Sequence, residues 1–430
     1  MQKSVFTLGY RSAFHAAVIL ILITCWAGCG ETYRPVATPI APNPPNPGFS
    51  HLALVISVNG PSHPGASTTI DVSGDTAVSQ STVGLMPAYA ALVQNGTRVY
   101  VADSGDDTVT SFSPTSPTPV TTISLPTGSA PSFVATAESS TLYVANTGNN
   151  TVSAISIISN VLESPLGGIP VGINPVSLAE TPNQQYLYSA NRGSAGTGGS
   201  VTSINPVDRS LNPPIANATW ISPVSVVART DSNRVYVLDQ GSGMVSAIDP
   251  ATNAVVTSVS VGVGANFMLY DTTRNRLYVA NPANNNVTYL DASSDALSAV
   301  VIPIANPVAV AALPDGSRAY ISTAAITTSA GGTFVTSAVT VINAADGSVR
   351  TTIPMTAASK VCTSSPFELP LAAAADSSRV YVGNCDAENV AIIQTLNDTL
   401  VLQMPAPLSA SFKPDGTPLP QNPVFVVAGP

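Results

Sequence analysis

"NRLYVANPANNNVTYLD", residues 275–291, holds two apolar runs around a short stretch of asparagine, proline and alanine. Short β-branched and aromatic runs flanking turn-forming residues read as two strands of a hairpin. The phrase recurs. Aligned on Tyr278, it matches "RVYVAD" at Tyr100, "TLYVAN" at Tyr143, "YLYSAN" at Tyr188, "RVYVLD" at Tyr236, "RAYIST" at Tyr320 and "RVYVGN" at Tyr381. The spacings are 42 to 48 residues, with one of 61. Upstream of most tyrosines sits a second recurring phrase: "PSFVATA" (131–137), "PVSLAET" (175–181), "PVSVVART" (223–230) and "PVAVAAL" (307–313). Downstream come "TVSAIS" (151–156), "MVSAID" (244–249) and "AVTVIN" (338–343), then runs such as "AVVTSVSVG" (254–262).

Each repeat therefore holds four short strands joined by turn residues such as Asn95-Gly96, Pro314-Asp315-Gly316 and "DPATN" (249–253). Four antiparallel strands every 42–48 residues predict the blades of an all-β propeller. The tyrosine, on the second strand, is expected to fill space between blades. The repeats resemble the YVTN family of β-propeller repeats of microbial surface-layer and exported proteins, with "YVAN" or a near variant where the family has its fourfold motif. The resemblance covers His51 to Pro430 and implies the fold, not an activity. Seven tyrosines suggest seven blades. The ends suggest eight: "HLALVIS" (51–57) aligns with the tyrosine strand, Leu54 replacing the tyrosine, and "NPVFVVAG" (422–429) supplies its missing first strand. Eight blades, closed by N- and C-terminal strands sharing one blade, is the prediction, with seven as the alternative.

The N-terminus reads as an address. Lys3 and Arg11 precede an apolar stretch from Phe14 to Cys25, followed by Trp26-Ala27-Gly28-Cys29. A charged start, a short apolar centre and small residues before a cysteine predict a lipoprotein signal over 1–28, with Cys29 lipidated. Trp26 departs from the aliphatic residue usual at its position, and an ordinary signal cut nearby is the alternative. Gly30, where Asp would favour inner-membrane retention, points to a lipoprotein anchored in the outer membrane, periplasmic or surface-exposed. Residues 29–50, rich in proline, form a linker of extended polyproline type, and 51–430 form one propeller domain.

The formal charge of −9 becomes −11 once the leader takes Lys3 and Arg11 away. An acidic chain whose lysines are then Lys360 and Lys413 has no basic patch for phosphates, so no nucleic-acid partner is expected. Membrane contact is expected through the lipid anchor alone, and the protein is read as a monomer. Cys362 and Cys385 remain as an even pair in an exported protein, both assigned to one face of one blade, which predicts a disulfide.

In a propeller blade the second-to-third turns and the crossings between blades share one face. Here that face carries Asp103, Asp106, Asp107, Asn146, Asn149, Asn191, Arg192, Asp239, Asn281, Asn384 and Asp386, together with insertions near 322–336 and 355–365. It is the candidate binding face, for a protein or glycan. Arg192 and Lys360 are its clearest cations, so a neutral polar partner fits better than a polyanion. Most such Asn and Asp positions need no ligand, because these side chains cap their own turns. Asp103, Asp106 and Asp107 lack the spacing of a known calcium loop, and no metal or other cofactor is expected. Arg98, Arg234, Arg276, Arg318 and Arg379 stand two residues before a tyrosine, nearer the opposite face. Asp231, Asp315 and Asp376 lie three residues before three of them, and local, solvated turn pairs are the expectation. Related propellers include lactonase-like and lyase-like enzymes. The mature chain, however, has only His51 and His63 as histidines, six scattered glutamates and no nucleophile elbow. A binding scaffold ranks first, with no catalytic residues assigned, and an enzyme is the alternative.

Overall fold

The computed structural model describes residues 52–429 apart from 94–95, 117–119, 136–139, 165–166, 195–197, 330–331, 359–361, 363–368 and 406–421. The leader, Cys29, the linker and Lys360 lie outside the described residues.

Eight antiparallel sheets form a ring of blades. The innermost strands of blades one to eight are Asn422–Ala428, Pro87–Val93, Pro131–Ala135, Pro175–Glu180, Pro223–Ala228, Phe267–Asp271, Pro307–Ala312 and Leu371–Ala373. Each touches the next, and the eighth touches the first. Blade one is the composite: Asn422–Ala428 pairs with Leu52–Val58, which continues into Pro64–Asp71 and Thr76–Leu85. The C-terminal strand thus covers an edge that would otherwise lie open. Eight is the number of blades, not seven.

Proline opens five of these inner strands and, as Pro423, stands second in a sixth, because it has no N–H for the ladder and the innermost strand has a free edge toward the axis. In those six blades the register slips by one residue just after it, as at Pro87/Tyr89, Pro131/Phe133 and Pro307/Ala309. The strand thereby bulges where it enters the ring.

The regular blades hold four strands, and two depart from that. Blade three divides its outermost strand into Val161–Leu162 and Ile169–Pro170. Blade four keeps only Pro175–Glu180, Leu187–Asn191 and Ser200–Ile204, since Pro206, Pro213 and Pro214 break up the segment that would be its fourth. Two isolated bridges, Ile204 to Leu211 and Ala216 to Ala254 of blade five, cover that side instead.

All seven repeat tyrosines are buried, at 1% exposure or less. Burying a ring of this size contributes on the order of 2 kcal/mol each. Several hydroxyls reach the third-to-fourth turn of the following blade: Tyr100 donates to Asn160 Oδ1 at 2.6 Å, and Tyr320 donates to Asp398. The arginines two residues earlier do the same. Arg234 holds Asp295 at 2.7 Å, Arg276 donates to the Ala344 carbonyl, Arg318 pairs with Asp398 at 2.6 Å, and Arg379 pairs with Asp75 of blade one at 3.0 Å. Their partners lie a full blade away, so the expectation of local turn pairs is corrected: four of the five clamp neighbouring blades. Arg98 bonds Ser111 in its own blade. Asp231, Asp315 and Asp376 instead accept from the backbone two residues on, capping their own turns.

Candidate binding face and central channel

The structure places the predicted Asn/Asp residues on the expected turns, but seven of the eleven candidates are buried there: Asp103, Asn146, Asn191, Asp239, Asn281, Asn384 and Asp386. Asn146 donates to Thr151 and Ser153 at 2.9 and 2.8 Å, and Asn191 to Ser200 and Thr202 at 3.1 and 2.9 Å. Asp239 accepts from the backbone of Ile221, Ser222 and Gly241, which pins the crossing from blade four. Asn281 donates to the carbonyls of Val261 and Gly262, doing the same for the crossing from blade five. Asn384 accepts from Ala387 N at 3.2 Å, and Asp386 accepts from Cys362 N at 2.5 Å.

The four remaining candidates are also engaged. Asp107 accepts from Gly128 N and Ala130 N at 2.8 Å each, and Asp106 from Leu85 N at 3.1 Å. Asn149 donates to Ser129 at 3.2 Å. Arg192 is exposed and reaches Gln240 of the next blade at 3.2 Å. Left-handed backbone at Asp107, Asn150, Asn285 and Glu388, the last residues of their turns, explains the recurring Asn and Asp chemistry. These side chains hold turns and crossings together.

Asp103 stands out electrostatically. Burial is the main cause that pushes its carboxyl up to about 8, the nearby Asp106 charge adds to this, and the Thr110 hydroxyl bond at 2.6 Å opposes it. It therefore occupies the cap position as a neutral acid near pH 7. Among the described residues no cluster of three or more His, Cys, Asp or Glu side chains could hold a metal ion.

What rises from this face is a hairpin. The 322–336 insertion is not a loop: blade seven extends its second and third strands to Arg318–Ser329 and Gly332–Asn343, paired throughout. The inner strand pairs only as far as Thr323, so six residue pairs project beyond it, roughly 20 Å of ribbon. Ile326 is 50% exposed and Phe334 43%, one on each face of the ribbon. Val335 and Ala358 exchange backbone hydrogen bonds at 2.8 and 3.0 Å, bracing one edge. The other edge, along 325–329, has no strand beside it among the described residues. In the neighbouring crossing the Sγ atoms of Cys362 and Cys385 are bonded, with Cα atoms 5.6 Å apart.

The inner strands enclose a channel of about 740 Å³. At the inner-strand position paired with the second residue after the repeat tyrosine (Leu54 in blade one), in the half nearer this face, blades one, two and three present Phe425, Tyr89 and Phe133. Tyr89 lies between the other two, with ring centroids 4.1 and 4.2 Å away. The matching positions are Ser177, Ser225, Phe267, Ala309 and Pro370. Sequence reading missed this wall. Its signal was one aromatic at a fixed place among small residues, visible only when the first strands are aligned with each other.

No protein-family model matches this sequence, and no curated protein matches it. Solved structures do match in fold. Apo AztD from Citrobacter koseri superposes with a TM-score of 0.61 at 11% identity, over 88% of this chain and 98% of that one. Kuenenia stuttgartiensis hydrazine synthase matches 65% of this chain and 88% of its own at 19% identity, with a TM-score of 0.48. At 11% identity the likeness to AztD shows the fold class, the β-propeller, and nothing narrower.

Proposed function

We propose that this protein is an outer-membrane lipoprotein of the YVTN-repeat kind that serves as a binding scaffold, with a protein as the favoured partner and a glycan as the alternative. The observation that carries the reading is the blade-seven hairpin. It departs from the repeat, projects beyond the ring, exposes Ile326 and Phe334, and leaves a strand edge open along 325–329. An extended segment of another protein gains main-chain hydrogen bonds by adding to such an edge, while the exposed apolar residues give selectivity. Lipidation at Cys29 and the proline-rich linker would hold the ring off the membrane and leave this face accessible.

The test is a pull-down from intact cells with three full-length forms. One is the wild type, one has the hairpin shortened by removing 325–336, and one carries Ile158→Ser, Val207→Ser and Leu396→Ser. Those three residues are highly exposed on turns that follow the third strands of blades three, four and eight, on the opposite face. A partner captured by the first and third forms but not the second supports the reading. Capture lost only with the triple change places the interaction on the other face. A lactone or polysaccharide consumed by the wild type would favour the enzyme alternative.

A further inference from the structure

We infer that the central channel is a second binding site, separate from the hairpin, for one neutral molecule bearing a ring with an apolar face. Its volume of about 740 Å³ lies within the range of small-molecule sites. The wall is asymmetric. Phe425, Tyr89 and Phe133 form a continuous aromatic surface across blades one to three. Phe267 belongs to blade six, four blades from Tyr89 and so on the far side of the ring. Ser177 and Ser225 fill the same level on the two blades between Phe133 and Phe267. A propeller that needed only to fill its axis could place aliphatic side chains all round. Concentrating aromatics on one side, with small residues beside them, leaves a slot shaped for a ring.

Charge narrows the ligand. Among the described residues no Lys or Arg lines the channel, and Glu180, at its far end, is the one carboxylate that does. Burial pushes the Tyr89 hydroxyl up to about 12, so the aromatic wall stays uncharged at any working pH. An anion would find no counter-charge there and would have to shed its water, which is costly. A ring face, by contrast, gains both apolar contact and aromatic stacking. A neutral sugar and a neutral aromatic share this chemistry, and the assay separates them.

The full chain carrying Cys29→Ser, kept free of detergent, is titrated with three probes: N-phenyl-1-naphthylamine, maltotriose, and the anionic 1-anilinonaphthalene-8-sulfonate. One neutral probe should bind at a single site per chain, and the anion at least ten-fold more weakly. Ser225→Phe, which fills the slot, should abolish that binding, and Phe133→Ala, which removes part of the wall, should weaken it about ten-fold. Melting and circular dichroism confirm that each variant is folded. Removing 325–336 should leave probe binding unchanged, which keeps this test independent of the hairpin's partner. No saturable binding of either neutral probe to folded wild type overturns the proposal. So does binding that neither channel variant alters, or an anion bound as tightly as its neutral counterpart.

Discussion

Asp103→Asn should stabilise the protein, and should do so only above acidic pH. Asp103 sits at the cap position that asparagine fills in blades three and four, and it is fully buried. There Asn146 donates to Thr151 and Ser153; in blade two, Thr110 at the matching place donates to Asp103 instead. The Asp103 carboxyl is raised from 3.8 to about 8, burial being the main cause. Between those two values the native state keeps a proton that the unfolded chain has released. The stability from this group is therefore complete below about pH 4, is lost progressively as pH rises, and levels off above about pH 8. At 1.36 kcal/mol per pH unit, the loss by pH 7 is on the order of 4 kcal/mol. Asparagine carries no such proton, and its amide can donate to Thr110 as Asn146 donates to Ser153. Urea unfolding of both proteins from pH 4 to pH 9 reads the difference directly. The variant should match wild type near pH 4 and exceed it by about 2 kcal/mol or more at pH 8. Parallel curves, or a variant less stable throughout, would show that Asp103 is ionised in the fold and refute the reasoning.

Other outcomes follow from the ring's construction. Deleting 421–430 removes the inner strand of blade one and exposes Leu52–Val58 as an open edge, so the melting temperature should fall steeply; an unchanged value would mean that the ring does not depend on that closure. Asp398, 4% exposed, is held by Arg318 and Arg350. Asp398→Ala leaves that charge pair broken and should cost about 3 kcal/mol or more, measured by denaturant unfolding. Reducing Cys362–Cys385, which are separated by 23 positions, should lower stability by about 3 kcal/mol; two titratable thiols in the unreduced protein would remove the bond. In the proposed lipoprotein the acyl chains on Cys29 would supply the membrane affinity, so Cys29→Ser should move the protein out of the detergent phase, and equal partitioning would dismiss the anchor.

The fold was legible because each blade repeats the same solution, and repetition turns weak strand signals into a strong period. Tyr100 or Tyr278 alone says little, whereas seven at nearly constant spacing specify a ring. The closing strand was legible for the same reason, since "NPVFVVAG" completes a pattern that blade one lacks. The arginine clamps were misread because proximity in sequence suggested Asp231 for Arg234, while the true partner, Asp295, lies 61 positions on. Adding one repeat to the turn's position would have found it. The binding face shows the converse limit. Asn146, Asn191 and Asn281 recur because every blade must pin a turn and a crossing, and that work occupies their hydrogen-bonding atoms. Residues that recur for such a reason cannot also mark a site belonging to the molecule as a whole. Recognition must draw on what the blades do not share: one hairpin of twelve-residue strands, and an aromatic wall confined to three blades of eight. In a repeat protein the period reveals the scaffold, and the departures from it are where a ligand can be told from its surroundings.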